Sequence, residues 1–238
     1  MHQYAVKYPS GRKIWSSLRA IDSRLEKGIG SMKKIRTLGA WAGYLAALVQ
    51  AVAFVWYCSE VFSKEAHTNP ISWWLWLGET LVGLLIYVDR TRDMPKWLNE
   101  AVAFVGVVLV ASYLSVRMFL GDAAVILAPV EPIDVGAAVT AIAAFWFWLL
   151  TRKKWGAGAA IWVFQIALIT AAFPLIRATF VDPSAEPFWP WALWTVSFCL
   201  QFLCAAFRWD GFETLPNPLN YAITHGLVAW IIWQGVAP

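Results

Sequence analysis

Two ionisable side chains lie in the middle of apolar stretches of this sequence, Glu79 and His225. A charge inside a bilayer is costly, so the carboxyl group of Glu79 is expected to bind and release a proton. A neutral imidazole both donates and accepts hydrogen bonds, so His225 suits a substrate hydroxyl or a proton shared with Glu79. Structural roles stay open for both: a glutamate that fixes helix packing by bonding a glutamine, and a histidine satisfied inside the core.

A pair of asparagines belongs to a motif that occurs twice. Residues 89–101 have the pattern D-x5-P-x2-L-N-x-A, and residues 210–222, 121 positions later, have it again. Each copy ends one apolar stretch and begins the next, so the simplest explanation is two related halves. A two-fold arrangement would direct the amides of Asn99 and Asn220 towards the central axis, where they would contact a substrate. The alternative is that they cap helices or belong to a gate.

Four further side chains are candidates for substrate contact because of their depth in the apolar stretches. Gln50 and Gln165 lie near the middle or inner half of two stretches that occupy equivalent places in the two halves. Trp76 and Trp194 lie deeper than the neighbouring tryptophans and are suited to stack on a sugar or nucleobase ring. The alternative for both is a belt of indoles at the membrane surface. The belt is expected to contain Trp73, Trp74, Trp189 and Trp191.

The composition is that of a membrane protein. Hydrophobic residues make up 60% of the chain and charged residues 14%, and the mean hydropathy is +0.56. A membrane-spanning helix needs about 20 mostly apolar residues. Seven stretches fit, at 38–59, 70–88, 97–116, 134–150, 156–176, 187–207 and 217–234. The predicted fold class is therefore an all-α integral membrane protein with seven transmembrane helices, and little chain is left for a soluble catalytic domain.

The basic residues sort the loops into two sides. Of the 19 Lys and Arg, 16 lie before the first stretch or in the loops that share its side, and three lie on the other side. Basic loops remain in the cytoplasm. We therefore expect a cytoplasmic N-terminus, an external C-terminus and a place in the cytoplasmic (inner) membrane of a bacterium. Because the charges alternate with apolar stretches, they orient the chain in a lipid bilayer and do not indicate a nucleic-acid partner.

The chain divides into four segments. Residues 1–36 are predicted to form a basic amphipathic helix on the inner leaflet that ends near Gly28, with docking of a partner protein as the alternative. Residues 37–120 and 155–238 are predicted to be two three-helix repeats in parallel orientation, and residues 121–154 to be the linker helix between them. The axis that relates the repeats would then run along the membrane normal.

This layout of three helices, one helix and three helices resembles the SWEET and PQ-loop transporters and the PnuC-type vitamin transporters. The resemblance covers roughly residues 38–236 and implies a carrier whose substrate lies between the two repeats. In the SWEET family a paired asparagine from the third and seventh spans contacts the substrate, and Asn99 and Asn220 lie in the corresponding spans. The resemblance therefore implies that these two residues bind the solute.

Charged residues accompany the repeated motif at the predicted cytoplasmic face. Asp89, Arg90 and Arg92 lie in one half, and Arg208 and Asp210 lie in the other. Ion pairs among them would close that face and would break when it opens. Exposed pairs contribute only about 0–1 kcal/mol each, so solvated helix ends are the alternative.

The expected function is a membrane carrier for a small polar solute, such as a sugar, a nucleoside or a vitamin, that works by alternating access with or without proton coupling. The alternative is a membrane subunit or scaffold of a larger complex, and a homo-oligomer is compatible with either. A membrane enzyme is less favoured because no set of His, Asp and Glu is concentrated at one face. Zinc and nucleotide cofactors are not expected, since the chain has no CxxC, paired histidines or Walker motif.

Overall fold

The structure is a computed structural model that describes the backbone of residues 11–63, 70–121 and 132–236, and the side chains within these ranges except 11–31, 71, 152–160 and 236. The described chain is helical almost throughout, which confirms the all-α prediction. Its α-helices are α1 Gly11–Phe62, α2 Pro70–Thr91, α3 Met94–Phe119, α4 Pro132–Val181, α5 Phe188–Phe207 and α6 Pro216–Val236. Two short 3-10 helices, Pro183–Ala185 and Phe212–Thr214, precede α5 and α6.

α1 joins the predicted arm to the first predicted span without a break. The backbone is helical from Gly11 to Phe62, so the predicted end of a helix at Gly28 is wrong. A glycine inside a helix costs only about 1 kcal/mol relative to alanine, and the helical residues on both sides outweigh that cost. The part of α1 that is long and apolar enough to cross a membrane is Met32–Phe62.

α4 contains the fourth and fifth predicted spans and reverses direction between them. The hydroxyl oxygens of Thr140 and Thr170 are 2.8 Å apart, whereas a straight helix between them would separate them by about 45 Å. α4 therefore forms a hairpin, with a first arm, α4N, at Pro132–Thr151 and a second arm, α4C, at Ile161–Val181.

Within the described residues, five helical segments are long and apolar enough to cross a membrane, which is typical of an integral membrane protein. They are α3, α4N, α4C, α5 and the Met32–Phe62 part of α1. α2 and α6 have a suitable length, 22 and 21 residues, but contain polar side chains that lower their hydropathy. Three of these, Glu79, Asn217 and His225, are buried against other helices. They therefore lie inside the bundle and are shielded from lipid.

The helices pack in a closed arrangement. α3 packs on both α1 and α2, and α6 packs on both α4 and α5. α1 also packs on α5, and α2 packs on α4, which closes the bundle. Trp194 belongs to one apolar core and Phe198 to a second. Because these two residues are one helical turn apart on α5, the cores meet at that helix.

The loops lie at two ends of the bundle. Residues 89–96 and 208–217 are joined by ion pairs and form what we call the charged end. The carbonyl oxygen of Arg36 in α1 accepts a hydrogen bond from Arg208 and so also lies there. The opposite end contains the turn with Glu186, which lies beside the last turns of α1 and α6. The two loops that carry the repeated motif thus share one end.

Candidate functional site

A small cavity lies in the interior of the bundle. Its volume is about 10 Å³, which is the space of roughly one water molecule. Side chains of α1, α2, α3, α5 and α6 border it. These are Gln50, Phe54, Trp76, Thr80, Ala103, Val107, Trp194, Phe198, Tyr221 and His225.

His225 is surrounded by aromatic rings from α2, α5 and α6. The distances from the imidazole centroid to the ring centroids are 5.1 Å for Phe198, 5.3 Å for Trp76 and for Trp191, 5.7 Å for Tyr221 and 5.8 Å for Trp194. The face of an aromatic ring carries partial negative charge. The rings therefore form a cage that is occupied by the flat imidazole of His225.

One hydrogen bond fixes the orientation of His225. Its Nδ1 lies 2.7 Å from the carbonyl oxygen of Tyr221. Because a carbonyl oxygen only accepts, Nδ1 donates in this bond, and Nε2 of the neutral imidazole is then an acceptor.

Four polar atoms beside the cavity have no hydrogen-bond partner among the described residues. They are Gln50 Oε1, Trp76 Nε1, Trp194 Nε1 and Tyr221 Oη. A buried polar atom left unpaired costs about 1–3 kcal/mol. Three of the four are N–H or O–H donors and one is an acceptor, so a solute with several polar atoms would remove these costs.

Of the eight residues predicted to contact substrate, Gln50, Trp76, Trp194 and His225 meet at this cavity. Glu79 does not border it, but is buried on the same face of α2 as Trp76, three residues away. Within the described chain Glu79 has no hydrogen bond, and its Oε1 is buried without a partner. The structural role that the sequence left open, a bond from a glutamine to Glu79, is therefore absent from this arrangement.

The other three predicted residues lie nearer to the charged end and bond to protein groups. Asn99 Oδ1 accepts from Ser197 Oγ at 2.9 Å. Asn220 Nδ2 donates to Gln165 Oε1 at 3.1 Å. The two asparagines therefore connect helices to one another and do not border the cavity.

Glu100 is a buried acid that the sequence-based prediction missed. It lies in α3 with no exposed surface, and its Oε1 accepts from Asn217 Nδ2 of α6 at 2.8 Å. Asn217 Oδ1 in turn lies 3.4 Å from Gln165 Nε2. A signal was present, because Glu100 follows Asn99 inside the repeated motif. Its place near the start of a predicted span made it resemble an exposed helix end.

The tryptophan belt is only partly correct. Trp74 and Trp189 are exposed, as predicted, but Trp73 and Trp191 are buried in the apolar core. The reason is helical geometry: Trp73 is three residues from Trp76, so both lie on the inner face of α2. For Trp73 and Trp191 the belt prediction is wrong.

At the charged end, ion pairs connect the α2–α3 turn with the segment between α5 and α6. Arg208 donates two hydrogen bonds of 2.7 Å, one to each carboxylate oxygen of Asp93. Such a bidentate pair is stronger and more directional than a single contact. Arg90 forms a second pair with Glu213.

Lys96 forms a third pair. It is almost completely buried, and its Nζ lies 2.7 Å from Asp210 Oδ1. The two remaining predicted gate residues behave differently. Asp89 accepts a 3.4 Å hydrogen bond from Trp148 Nε1, and Arg92 is exposed in the turn with a φ of 48°. Three of the five predicted gate residues, Arg90, Arg208 and Asp210, therefore take part in ion pairs that cross the bundle.

In two of these pairs the pKa of one partner is shifted towards its charged form. Burial raises the pKa of Glu213, but its bond to its own backbone and the guanidinium of Arg90 outweigh burial, so the pKa is lowered. The hydrogen bond with Asp93 raises the pKa of Arg208. A lowered pKa in the folded state means that the Glu213 contact contributes stability above the usual glutamate pKa and loses it as the pH falls through the lowered value.

Glu186 closes the opposite end. It is buried, and its Oε2 accepts from Tyr57 Oη at 2.9 Å and from Trp191 Nε1 at 3.2 Å. Trp191 is also a wall of the cage around His225. Polar contacts between segments that are distant in sequence are thus present at both ends of the bundle.

We expect the Asp93–Arg208 pair to stabilise the closed charged end. Asp93→Asn and Arg208→Gln should each lower the free energy of unfolding by about 1–3 kcal/mol, because each leaves a charged partner without its bond. The double variant should lose little more than either single variant, because the coupling is shared. Chemical unfolding in detergent measures this, with Arg92→Gln as the exposed control. Additive losses would show that the two residues do not stabilise each other.

In the part of the chain that the structure describes, no group of three or more His, Cys, Asp or Glu is placed to bind a metal ion. No protein-family model, curated protein or solved structure matches the chain. The chemistry of the cavity and of the two closed ends therefore provides the basis for a function.

Proposed function

We propose that residues 37–120 and 155–238 are two copies of a three-helix unit, related by a two-fold axis along the membrane normal, with 121–154 as linker. The support is one offset of 121 residues that relates six buried positions in each of two pairs of helices. In α1, positions 43, 46, 47, 50, 53 and 54 are buried, as are 164, 167, 168, 171, 174 and 175 in α4C. In α3, positions 96, 100, 103, 107, 110 and 111 are buried, as are 217, 221, 224, 228, 231 and 232 in α6.

Two close contacts between the units are related by the same offset of 121 residues. A β-carbon placed on Gly43 of α1 would lie 2.8 Å from Cys204 Sγ of α5, and one on Gly83 of α2 would lie 3.0 Å from the ring of Phe164 in α4C. Gly43 corresponds to Phe164, and Cys204 corresponds to Gly83. The two approaches are therefore the same contact made once by each unit.

The offset also pairs Gln50 with Ala171, so Gln50 is not the counterpart of Gln165.

A second pair of contacts at the charged end is related by the same offset. Arg208 binds Asp93, and the residues 121 positions away, Tyr87 and Thr214, are joined by a hydrogen bond from the tyrosine hydroxyl to the threonine carbonyl. Both contacts cross from one unit to the other. They are therefore placed to hold the two units together at this end.

The function that this geometry supports best is a membrane carrier for a small polar solute. The observation that carries it is the cavity between the units, with four buried polar atoms that lack partners among the described residues. They come from both units: Gln50 and Trp76 from the first, and Trp194 and Tyr221 from the second. Polar atoms from two repeats around a midplane site are the arrangement expected of a repeat-based transporter.

The contacts at the two ends of the bundle support alternating access as the mechanism. Opening the charged end would break the Asp93–Arg208 and Arg90–Glu213 pairs, and opening the other end would break the bonds of Glu186. Both sets of contacts are formed in the structure, as we expect for a carrier that is closed at both ends. With Arg36 and Arg208 at the charged end, the excess of basic residues supports a cytoplasmic position for that end.

A second candidate, a non-transporting subunit of a membrane complex, is favoured by the size of the cavity. A space of about 10 Å³ is no larger than one water molecule, so a carrier would have to widen it to bind a solute, and Asn99 and Asn220 are engaged in bonds between helices. On this alternative the buried polar groups would only fix the packing of the bundle.

Ligand-induced thermal stabilisation followed by counterflow distinguishes the carrier from the non-transporting subunit. The purified full chain is screened with glucose, uridine, nicotinamide, thiamine and choline, since a bound solute raises the unfolding midpoint. Any stabilising solute is then tested in proteoliposomes for exchange of labelled against unlabelled solute. A carrier should show saturable exchange that falls in Trp76→Ala, whereas Trp74→Ala, an exposed indole on the same helix, should behave as the wild type. Binding without exchange would support the subunit instead.

A further inference from the structure

Two carboxyl groups inside the bundle have no basic partner in the described part of the chain. Glu100 is completely buried and Glu79 is 3% exposed, and each has a carboxyl oxygen without a hydrogen-bond partner there. Lys96 lies one turn from Glu100 but is paired with Asp210 at 2.7 Å. A buried carboxylate without a countercharge is costly. Each acid therefore needs either a proton or a cation that enters the bundle.

Both acids are close to the cavity. Glu100 lies one helical turn before Ala103, which borders it, and Glu79 lies between Trp76 and Thr80, which also border it. The acids thus lie just outside the first layer of cavity residues.

That first layer is rich in aromatic rings. Trp76, Trp194, Phe198 and Tyr221 border the cavity, and all four lie within 6 Å of the His225 ring centroid. A cation is attracted to the negative face of such rings, most strongly to that of tryptophan. An uncharged sugar would stack on the rings but has no positive charge to balance the two acids.

We propose that the solute bound at this site, once the cavity of about 10 Å³ has widened to admit it, is a small organic cation, such as a quaternary ammonium ion or an N-alkylated aromatic ring. Its charged group lies among the rings and is neutralised by Glu100. Asn217 holds one oxygen of Glu100 at 2.8 Å and leaves the other without a partner, so the carboxyl group is oriented before a ligand arrives. This inference specifies the substrate class of the carrier proposed above and rests on the same cavity.

A pair of ligands that differ only in charge tests it. Choline and 3,3-dimethylbutan-1-ol have the same shape, but a neutral carbon replaces the ammonium nitrogen in the second. Isothermal titration of the purified full chain should show choline binding at least about tenfold more tightly than the alcohol, since a charge-assisted contact is lost. N-methylpyridinium should bind as a second cation.

Variants then locate the countercharge. Glu100→Gln should weaken choline binding by about tenfold or more, and Glu60→Gln, the same change at the exposed end of α1, should have no effect. If Glu100→Gln does not fold, Trp76→Phe and Trp76→Leu provide a second comparison. Phenylalanine should retain most of the affinity because it keeps a ring, and leucine should lose it.

The outcomes distinguish this inference from the carrier proposal. Equal affinity for choline and its neutral analogue, or no binding of either cation, would overturn the assignment of a cationic solute. Exchange of glucose or uridine in proteoliposomes, with no response to the cations, would overturn it and leave the carrier intact. Choline binding that depends on Glu100 but produces no exchange would keep the cation site and refute transport.

Discussion

Replacing Glu79 by glutamine is expected to abolish solute accumulation driven by a pH gradient while solute exchange continues. Glutamine keeps the size of the side chain and removes its titration. The substitution breaks no hydrogen bond, because Glu79 has none within the described residues. A gradient of one pH unit is worth about 1.4 kcal/mol per proton, which corresponds to about tenfold accumulation. The variant should lose this accumulation of about tenfold entirely.

Proteoliposomes with an imposed pH gradient provide the measurement, with labelled choline as the first solute and any neutral solute found by counterflow as the second. Glu60→Gln is the matched control, since its carboxyl group bonds Trp56 at the exposed end of α1. Normal accumulation in Glu79→Gln would exclude Glu79 as the proton site. If exchange and accumulation fell together, the residue would be needed for binding or folding and not for coupling.

Glu79 and Glu100 are expected to differ in this assay. Glu100 is oriented by Asn217 at 2.8 Å, whereas Glu79 has no donor beside it in the described chain. Glu100→Gln should therefore reduce exchange and accumulation alike through weaker binding. Only Glu79→Gln should separate the two activities.

Gly43→Ala is expected to cause the largest loss of stability among single methyl additions to the described helices. A β-carbon at Gly43 would lie 2.2 Å from the carbonyl oxygen of Pro95 and 2.8 Å from Cys204 Sγ. The first of these is a backbone atom at the start of α3, so no rotamer change relieves the overlap. Overpacking of a tight core costs about 1–3 kcal/mol or more, so the unfolding midpoint should fall clearly or the chain should fail to fold.

Two other glycines provide matched controls. Gly78 has no heavy atom within 4 Å of the position of a β-carbon, so Gly78→Ala should be neutral or stabilise by up to about 1 kcal/mol through helix propensity. At Gly83 the neighbour is the ring of Phe164 at 3.0 Å, which is farther away and belongs to a side chain, so Gly83→Ala should fall between them. The order of the three unfolding midpoints in detergent is the test. Wild-type stability in Gly43→Ala would show that α1 and α3 can separate at Pro95.

The depth of a residue in its apolar stretch was the sequence signal that found the cavity. Trp76, Trp194 and His225 were chosen on that basis, and the structure brings them together with Gln50. The same signal failed for Glu100, because distance from the end of a stretch does not show whether a neighbouring helix covers the residue. Asn217 of α6 covers it, and that contact spans 117 residues of sequence.

Paired motifs identified the right segments but not the contacts within them. The motif predicted that both inner loops carry a gate, and Arg90 and Arg208 do form ion pairs. The sequence does not identify their partners, Glu213 and Asp93, because each pair crosses from one half of the chain to the other. Ion pairs between an acid and a base of the same loop would be equally compatible with the sequence.

The sequence by itself determined that this protein is helical and suited to a membrane. Of its residues 60% are apolar, and they lie in long stretches, which cross a bilayer as helices because helices pair their own backbone polar groups. Only the tertiary structure decided which polar side chains meet. Hydrophobic burial depends on local composition and can be inferred along the chain, whereas the positions of Gln50, Trp76, Tyr221 and His225 around one cavity depend on the register between helices. That register is set by close approaches such as Gly43 to Pro95, in which the absence of one side chain allows two backbones to touch.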